Sequence, residues 1–222
     1  HWDGYWLHEN QYGFEQFPST YFTPNEIHQN PNYACDTLYH TRAIQPILLQ
    51  WQNTGDPVIG EIVSRWLDTW VDISSRESNG KASGVIPSAI HYPSGEAGGP
   101  DGDWWDPGCH YSNTTYQWPR AFGLMSRALL MGYHESDNEE YLTPLRSMAE
   151  LRLRYIRGEF SDSEPEGSEG WVAKELGSKL KDVLGKGYLL GWREHDEVLQ
   201  HDAGPYMHFI LTGNSDPLEA SL

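Results

Sequence analysis

The densest group of reactive side chains lies in one stretch of twenty residues, DGDWWDPGCHYSNTTYQWPR, at positions 101–120. Histidine and tyrosine can transfer protons, and asparagine and arginine can hold a ligand through hydrogen bonds. Five such side chains fall within eleven residues: His110, Tyr111, Asn113, Tyr116 and Arg120. This spacing predicts a catalytic site in the stretch, with packing tyrosines and a structural histidine as the alternative interpretation.

Three tryptophans of the same stretch have flat indole rings that match the apolar face of a pyranose: Trp104, Trp105 and Trp118. Large aromatic side chains also anchor cores, so packing is the competing explanation. We predict that one of the two adjacent tryptophans packs inward and that the other faces a groove.

Three aspartates of the stretch, Asp101, Asp103 and Asp106, together with Glu96 offer oxygen ligands that suit calcium. The sequence DGD begins like an EF-hand loop, but the twelfth position of that loop is Ser112 rather than glutamate. We therefore predict that no cofactor is required and that calcium is an optional ligand of the three aspartates. The alternative is turn and cap chemistry by aspartates next to glycine and proline.

A second group of candidate residues precedes a strongly periodic segment. Tyr39, His40 and Arg42 lie in the sequence YHTRA, and positions 39 and 42 share a face of a helix. His91, in the sequence IHYPSG, is a further candidate. We predict that all four contact substrate, although a structural role for the arginine, paired with a nearby carboxylate, stays open.

Charge and hydropathy exclude two classes of partner. The formal net charge is −17, and nucleic-acid binding needs clustered lysine and arginine. Apolar runs such as PILLQW are far shorter than the roughly 20 residues that cross a bilayer. The two cysteines, Cys35 and Cys109, are compatible with one disulfide or with two buried thiols.

Apolar residues recur at helical spacing in three parts of the chain, which predict helical hairpins at about 41–74, 119–157 and 171–222. Gly55 and Asp56 are expected to end one helix and begin the next. Similar turns, TGDPVI, SDNEEYL and TGNSDPLE, recur about 80 residues apart. The predicted fold class is all-α, with αα-hairpin repeats that form part of an (α/α) toroid and with little β structure.

Two segments interrupt this helical pattern. Residues 157–170 are acidic and rich in serine and glycine, which predicts an exposed loop. Residues 75–118 carry many aromatic side chains, and a connection of that length is usually either functional or disordered. We predict an ordered functional loop over a cleft, because aromatic residues favour burial or ligand contact.

The hairpin repeats, the YHTRA and TGDP motifs, GVIPSAIHYPSGEAGG and DGDWWDPGCHYSNTTYQWPRA resemble the (α/α)-toroid polysaccharide lyases and the related six-hairpin glycosidases. Closed toroids of this type have more hairpins, so we expect a single toroid domain, or a fragment of one whose remainder is a partner segment. The resemblance implies β-elimination on an acidic, uronate-containing polysaccharide by a secreted or periplasmic enzyme.

The resemblance also implies roles for the five clustered residues. Tyr116 or Tyr111 is expected to act as base and acid, and His110 as base or as neutraliser of the uronate carboxylate. Asn113 is a further neutraliser, and Arg120 would bind the carboxylate or the leaving group.

Two other functions remain open at this point. A glycoside hydrolase on the same scaffold would use two carboxylates as acid and base, drawn from Asp101, Asp103, Asp106 or Glu96. A non-catalytic carbohydrate-binding or scaffold domain would use the tryptophans alone.

Overall fold

The computed structural model describes residues 6–23, 26–109, 116–119, 122–161 and 163–185. The chain is about 50% helical, with five α-helices and two small sheets among these residues. The helices are α1 (Thr41–Thr54), α2 (Pro57–Ser75), α3 (Phe122–Ser136), α4 (Thr143–Ile156) and α5 (Glu169–Gly185). The strands are β1 (His8–Glu9), β2 (Glu15–Gln16), β3 (Cys35–Thr37) and β4 (Ala89–His91). A mostly helical fold with minor β content is confirmed.

The turn between α1 and α2 has the structure that the sequence predicts. Gly55 ends α1 with a φ of 62°, in the left-handed region that glycine adopts without strain. The Asp56 carboxylate accepts hydrogen bonds from the backbone N–H groups of Val58 and Ile59, at 2.9 and 3.5 Å. Pro57 occupies the first helical position, where no N–H group is needed. Local chemistry therefore fixes this helical hairpin.

Helices α3 and α4 form where periodicity predicts them, but they do not pack mainly on each other. Helix α3 packs against α1 and α2, whereas α4 packs against α5 and α2. A 3₁₀ helix, Glu139–Leu142, connects α3 to α4, and its buried Tyr141 donates a hydrogen bond to Asp68 of α2 at 3.0 Å. The connection is therefore part of the core rather than a simple polar turn.

Helix α5 begins two residues before the predicted start at Trp171. The rest of the third predicted hairpin, residues 186–222, lies outside the described residues. The 157–170 segment is mostly exposed, as predicted. Toroidal closure and a three-hairpin repeat stay predictions, and none of the helices described here is long and apolar enough to span a membrane.

The long aromatic segment after α2 is ordered where it is described, but much of it belongs to the core. Strand β4 pairs antiparallel with β3, with Ile90 opposite Asp36. Apolar side chains of the segment are 0–2% exposed: Val85, Ile86, Ala89, Ile90, Ala97 and Trp104. The expectation of a loop that lies over a cleft is thus corrected for these residues, because their side chains complete the core against the helices.

A disulfide joins Cys35 of β3 to Cys109, with 6.7 Å between the two Cα atoms and 74 residues between them in sequence. Both cysteines are fully buried beside Ala89. The structure thereby decides between the two alternatives for the cysteines. The cross-link fixes the end of the aromatic segment to the strand that leads into α1.

Candidate functional site

One of the five predicted catalytic residues, Tyr116, lies in the described part of the chain. The other four, His110, Tyr111, Asn113 and Arg120, lie outside the described residues. Anchored residues lie on both sides of Tyr116 in the sequence. Cys109, seven residues before it, forms the disulfide. The buried indole of Trp118, two residues after it, donates to the Ile86 carbonyl at 2.9 Å. Tyr116 is therefore held between two fixed points.

Tyr116 lies against residues that the sequence analysis placed in a separate candidate group. The centroid of its ring is 5.2 Å from that of Tyr39, with the rings tilted by 54°. The guanidinium carbon of Arg42 is 4.9 Å from the centroid of the Tyr39 ring, within cation–π range. The fold therefore joins a predicted catalytic residue to two predicted substrate-binding residues.

The disulfide explains why these distant positions meet. Cys35 precedes Tyr39 by four residues, and Cys109 precedes Tyr116 by seven. Tyr39 belongs to a 3₁₀ helix, Leu38–His40, that runs directly into α1, so Arg42 follows on the same face. The cross-link and the Trp118 anchor thus hold the two segments that carry the cluster.

Two more tyrosines extend the cluster toward the N-terminal segment. The ring centroids of Tyr21 and Tyr33 are 4.9 Å apart, and those of Tyr33 and His28 are 5.0 Å apart. Tyr21 is one of the neighbours that raise the pKa of Tyr116. We call these rings the aromatic row: His28, Tyr33, Tyr21, Tyr116 and Tyr39. Its tyrosines are half-buried and His28 is exposed, so the row reaches the surface.

The surroundings of Tyr116 favour its protonated form. Burial, followed by the neighbouring Tyr21 and Tyr39, raises the pKa of Tyr116 above its ordinary value, although Arg42 acts in the opposite direction. Tyr116 therefore keeps its proton at neutral pH. In this environment it is suited to donate a proton or a hydrogen bond and poorly suited to act as a base.

His40 is a core residue, which corrects the prediction that it contacts substrate. Its side chain is 5% exposed, and its ring lies 4.5 Å from the ring of Phe17. Nδ1 is 2.7 Å from the buried Asp36 carboxylate, and Nε2 is 3.3 Å from the Thr20 carbonyl oxygen. Both ring nitrogens are thus engaged inside the protein.

Two of the three predicted sugar-stacking tryptophans are also buried. Trp104 is 0% exposed and Trp118 is 4% exposed, so the prediction of ligand contact is corrected for both. The Trp104 indole donates to the Gly167 carbonyl at 3.1 Å. Trp105 is half-buried and lies against Trp171, with ring centroids 6.2 Å apart. The inward orientation expected for one of the adjacent pair is that of Trp104.

His91 is half-buried at the end of β4. Its Nδ1 lies 2.8 Å from the Ser94 hydroxyl, and burial lowers its pKa. At neutral pH His91 is therefore an uncharged imidazole. Contact between His91 and substrate stays a prediction.

The three aspartates do not form a ligand cluster. A search of the described residues finds no group of three or more histidine, cysteine, aspartate or glutamate side chains that could hold a metal ion. Asp106 accepts a hydrogen bond from the Gln117 side chain at 2.8 Å. Glu96 is engaged by Tyr12, Ser78 and Arg76. The described residues therefore give the predicted calcium site no geometric support. The carboxylate of Glu96 is already bonded to neighbouring side chains, which disfavours a catalytic role for it.

An open cavity of about 1000 Å³ lies at the His28 end of the aromatic row. Its described walls combine imidazole, carboxylate, amide and phenol groups with aliphatic and proline surfaces: His8, Pro18, Glu26, Ile27, His28, Gln29, Asn30, Pro31, Ala34, Tyr92 and Pro93. This size is at the upper end of the range for small-molecule sites. The cavity and the row form the candidate site.

Sequence reasoning missed the contribution of the N-terminal segment. The stretch YFTPNEIHQNPNY at 21–33 has the same signature as 101–120, because aromatic and polar residues are concentrated there without a regular period. That signature could have identified the segment. Its proximity to Tyr116 could not have been read from spacing.

Comparison with known proteins gives no matching family model, no matching curated sequence and no matching solved structure. The function must therefore be argued from the geometry of the site.

Proposed function

We propose that this protein is a polysaccharide lyase that cleaves a uronate-containing polysaccharide by β-elimination, with the substrate bound along the aromatic row. The observation that carries the proposal is the contact of Tyr116 with Tyr39 and, through it, Arg42. A protonated phenol and a guanidinium group beside half-buried aromatic rings suit an acidic sugar.

The reaction has three requirements. The uronate carboxylate must be neutralised so that the adjacent C5–H bond becomes acidic enough to break. A base must remove that proton, and an acid must protonate the departing glycosidic oxygen. The electron pair of the C–H bond forms a C4–C5 double bond as the C4–O bond breaks, so the products are a free hydroxyl and an unsaturated uronate.

Arg42 is the residue proposed to bind the carboxylate. It is exposed at the start of α1, and its guanidinium carbon lies 4.9 Å from the centroid of the Tyr39 ring. In a chain of net charge −17, an anionic ligand needs local positive charge to bind. Arginine binds carboxylates through two parallel hydrogen bonds, which would also orient the sugar.

Tyr116 is the residue proposed to act as acid. Its raised pKa keeps the phenol protonated at neutral pH, which is the form that delivers a proton to the leaving oxygen. This narrows the sequence interpretation, in which either Tyr116 or Tyr111 could be base or acid. Tyr111 and His110 are left as the proposed bases.

Two further features of the chain support the proposal. Helix α1 packs on α3, and α2 packs on both α3 and α4, contacts that an arrangement of the predicted hairpins in part of a toroid would require. The Cys35–Cys109 disulfide is compatible with an extracellular protein, and we propose secretion or export to the periplasm.

The direct test is to incubate the protein with polysaccharides that contain different uronates and to follow the ultraviolet absorbance of the unsaturated product. We expect Tyr116→Phe to lower the elimination rate by about a hundredfold or more, because it removes the proton donor and keeps the ring. Tyr155→Phe is the matched control, since Tyr155 is a half-buried tyrosine that packs against Gly177 of α5.

Three outcomes would contradict the proposal. Full activity of Tyr116→Phe would refute the assignment of the acid. New reducing ends without the absorbance change would indicate a hydrolase, and binding without either product would indicate a non-catalytic carbohydrate-binding domain.

A further inference from the structure

The two ends of the candidate site differ in charge. The Arg42 end carries an exposed guanidinium group. At the cavity end, the described lining residues include the exposed carboxylate side chain of Glu26. A uronate carboxylate would therefore be attracted at one end of the site and repelled at the other.

Two histidines line the cavity, His8 and His28, and His28 is held by the neighbouring backbone. The Nδ1 atom of His28 accepts a hydrogen bond from the backbone N–H of Asn30 at 3.2 Å. With Nδ1 engaged by the backbone, Nε2 is the ring nitrogen left to bond a sugar hydroxyl.

The rest of the cavity suits an uncharged sugar. Pro31, Pro93 and Ile27 provide apolar surface, and the Tyr92 ring lies edge to face with the ring of His8 at 5.9 Å. Pyranoses present apolar C–H faces and a rim of hydroxyl groups, so they need both kinds of wall. Glu26 can accept hydrogen bonds from hydroxyl groups, which favours a neutral sugar over an acidic one.

The cavity also belongs to the same binding surface as Tyr116. His28 lines the cavity and contacts Tyr33, which contacts Tyr21, and Tyr21 interacts with Tyr116. A saccharide chain that follows the aromatic row from Arg42 would enter the cavity with a later sugar residue.

We propose that the cavity is a subsite for an uncharged sugar, so that the substrate is a mixed polysaccharide in which uronates are joined to neutral or N-acylated sugars. This inference rests on the proposed function for the position of the uronate at Arg42. It adds a class of substrate that the sequence does not indicate, and it excludes pure polyuronates as the best ligands.

The test compares three hexasaccharides by titration calorimetry: hyaluronan, which alternates glucuronate with N-acetylglucosamine, a mannuronate homopolymer, and neutral cellohexaose. We expect the mixed ligand to bind best. Tyr92→Ala should weaken its binding by roughly tenfold or more, the size of effect expected for an aromatic anchor. Tyr155→Phe should bind all three ligands like the wild type.

Two charge variants test the two ends of the candidate site independently. Glu26→Gln is an exposed substitution that should strengthen binding of the mannuronate ligand by several-fold, because it removes the negative charge at the cavity. Arg42→Gln should weaken both acidic ligands and leave cellohexaose unchanged. Equal binding of the mixed and homopolymeric ligands, or no response to either cavity variant, overturns the inference.

The activity assay distinguishes the two proposals. If elimination depends on Tyr116 but the Tyr92→Ala and Glu26→Gln variants bind every ligand like the wild type, the proposal of a sugar subsite in the cavity is wrong. The proposal of a lyase then still stands. If the cavity variants change ligand binding but no elimination product forms, the proposal of a lyase is wrong and the proposal of a sugar subsite stands.

Discussion

Two of the aromatic clusters in the described part of the chain have opposite relations to solvent. One consists of tryptophans, Trp104, Trp105, Trp118 and Trp171, whose ring centroids lie 5.3–6.2 Å apart. The other is the aromatic row, with contacts of similar length between half-buried tyrosines. From the sequence alone, residues of both clusters were candidates for ligand contact, yet Trp104 and Trp118 are core residues.

The two clusters differ in the surroundings of the polar atoms on their rings. The indole N–H groups of Trp104 and Trp118 donate to the backbone carbonyls of Gly167 and Ile86, so these rings can be buried without loss of a hydrogen bond. Tyr116 is half-buried and lies next to a charged guanidinium group. Residue type alone therefore does not separate a packed aromatic ring from one that reaches the surface.

The largest effect should come from truncating the tryptophan cluster. We expect Trp104→Ala to lower the free energy of unfolding by about 3–5 kcal/mol, because it removes a fully buried side chain and leaves a cavity. Tyr39→Ala should cost about 1 kcal/mol, since Tyr39 is half-buried. Urea denaturation measures both, and equal losses would remove the distinction between the clusters.

A smaller effect should come from the close approach of the chain to Trp105. Gly167 has a φ of 79°, and a Cβ atom there would overlap the Trp105 ring. Gly158 has the same φ but no atom within 4 Å of its Cβ position. Both alanine substitutions strain the backbone, so Gly167→Ala should cost roughly 1–3 kcal/mol more than Gly158→Ala. Similar melting temperatures of the two variants would show that Trp105 is not held in place.

A separate effect, which depends on pH, concerns Lys81, whose side chain ties the start of the aromatic segment to the end of α2. Its Nζ donates to the carbonyls of Ser74, Arg76 and Ala82 at 3.2, 2.8 and 2.8 Å. Burial, followed by the charge of Arg76, lowers the pKa of Lys81 from 10.5 to about 7. Between these two values the unfolded chain binds more protons than the folded protein, so the free energy of unfolding should rise with pH.

The slope contributed by Lys81 is at most about 1.4 kcal/mol per pH unit. Lys81→Met should flatten it over pH 7–10.5, whatever the variant does to stability at one pH. Urea titrations across this interval measure the slope. An unchanged slope would mean that the Lys81 amine titrates alike in the folded and unfolded states.

Where structure is set by neighbouring residues, the sequence predicted it well. The end of α1 at Gly55 and the cap at Asp56 were predicted, because each requirement is met within a few residues. The helical segments α3, α4 and most of α5 followed from apolar periodicity. Their packing partners did not, since an apolar stripe shows that a face is buried but not which helix covers it.

The candidate site was predicted only in pieces. Tyr116, Tyr39 and Arg42 were named, but as members of two groups, and the contribution of Tyr21 and Tyr33 was missed. His40 was misassigned because its partner, Asp36, satisfies it inside the core. Contacts between segments about 20 to 95 residues apart leave no periodic signal in the chain.

The sequence by itself determined the helices, their capped turn, the acidic surface and the residue types available for chemistry, because these depend on local backbone preferences and composition. Only the tertiary structure decided which aromatic rings are buried and which line a surface. The physical reason is that burial depends on hydrogen bonds and cross-links between distant segments. The disulfide from Cys35 to Cys109 is the clearest example, since it brings Tyr39 and Tyr116 together.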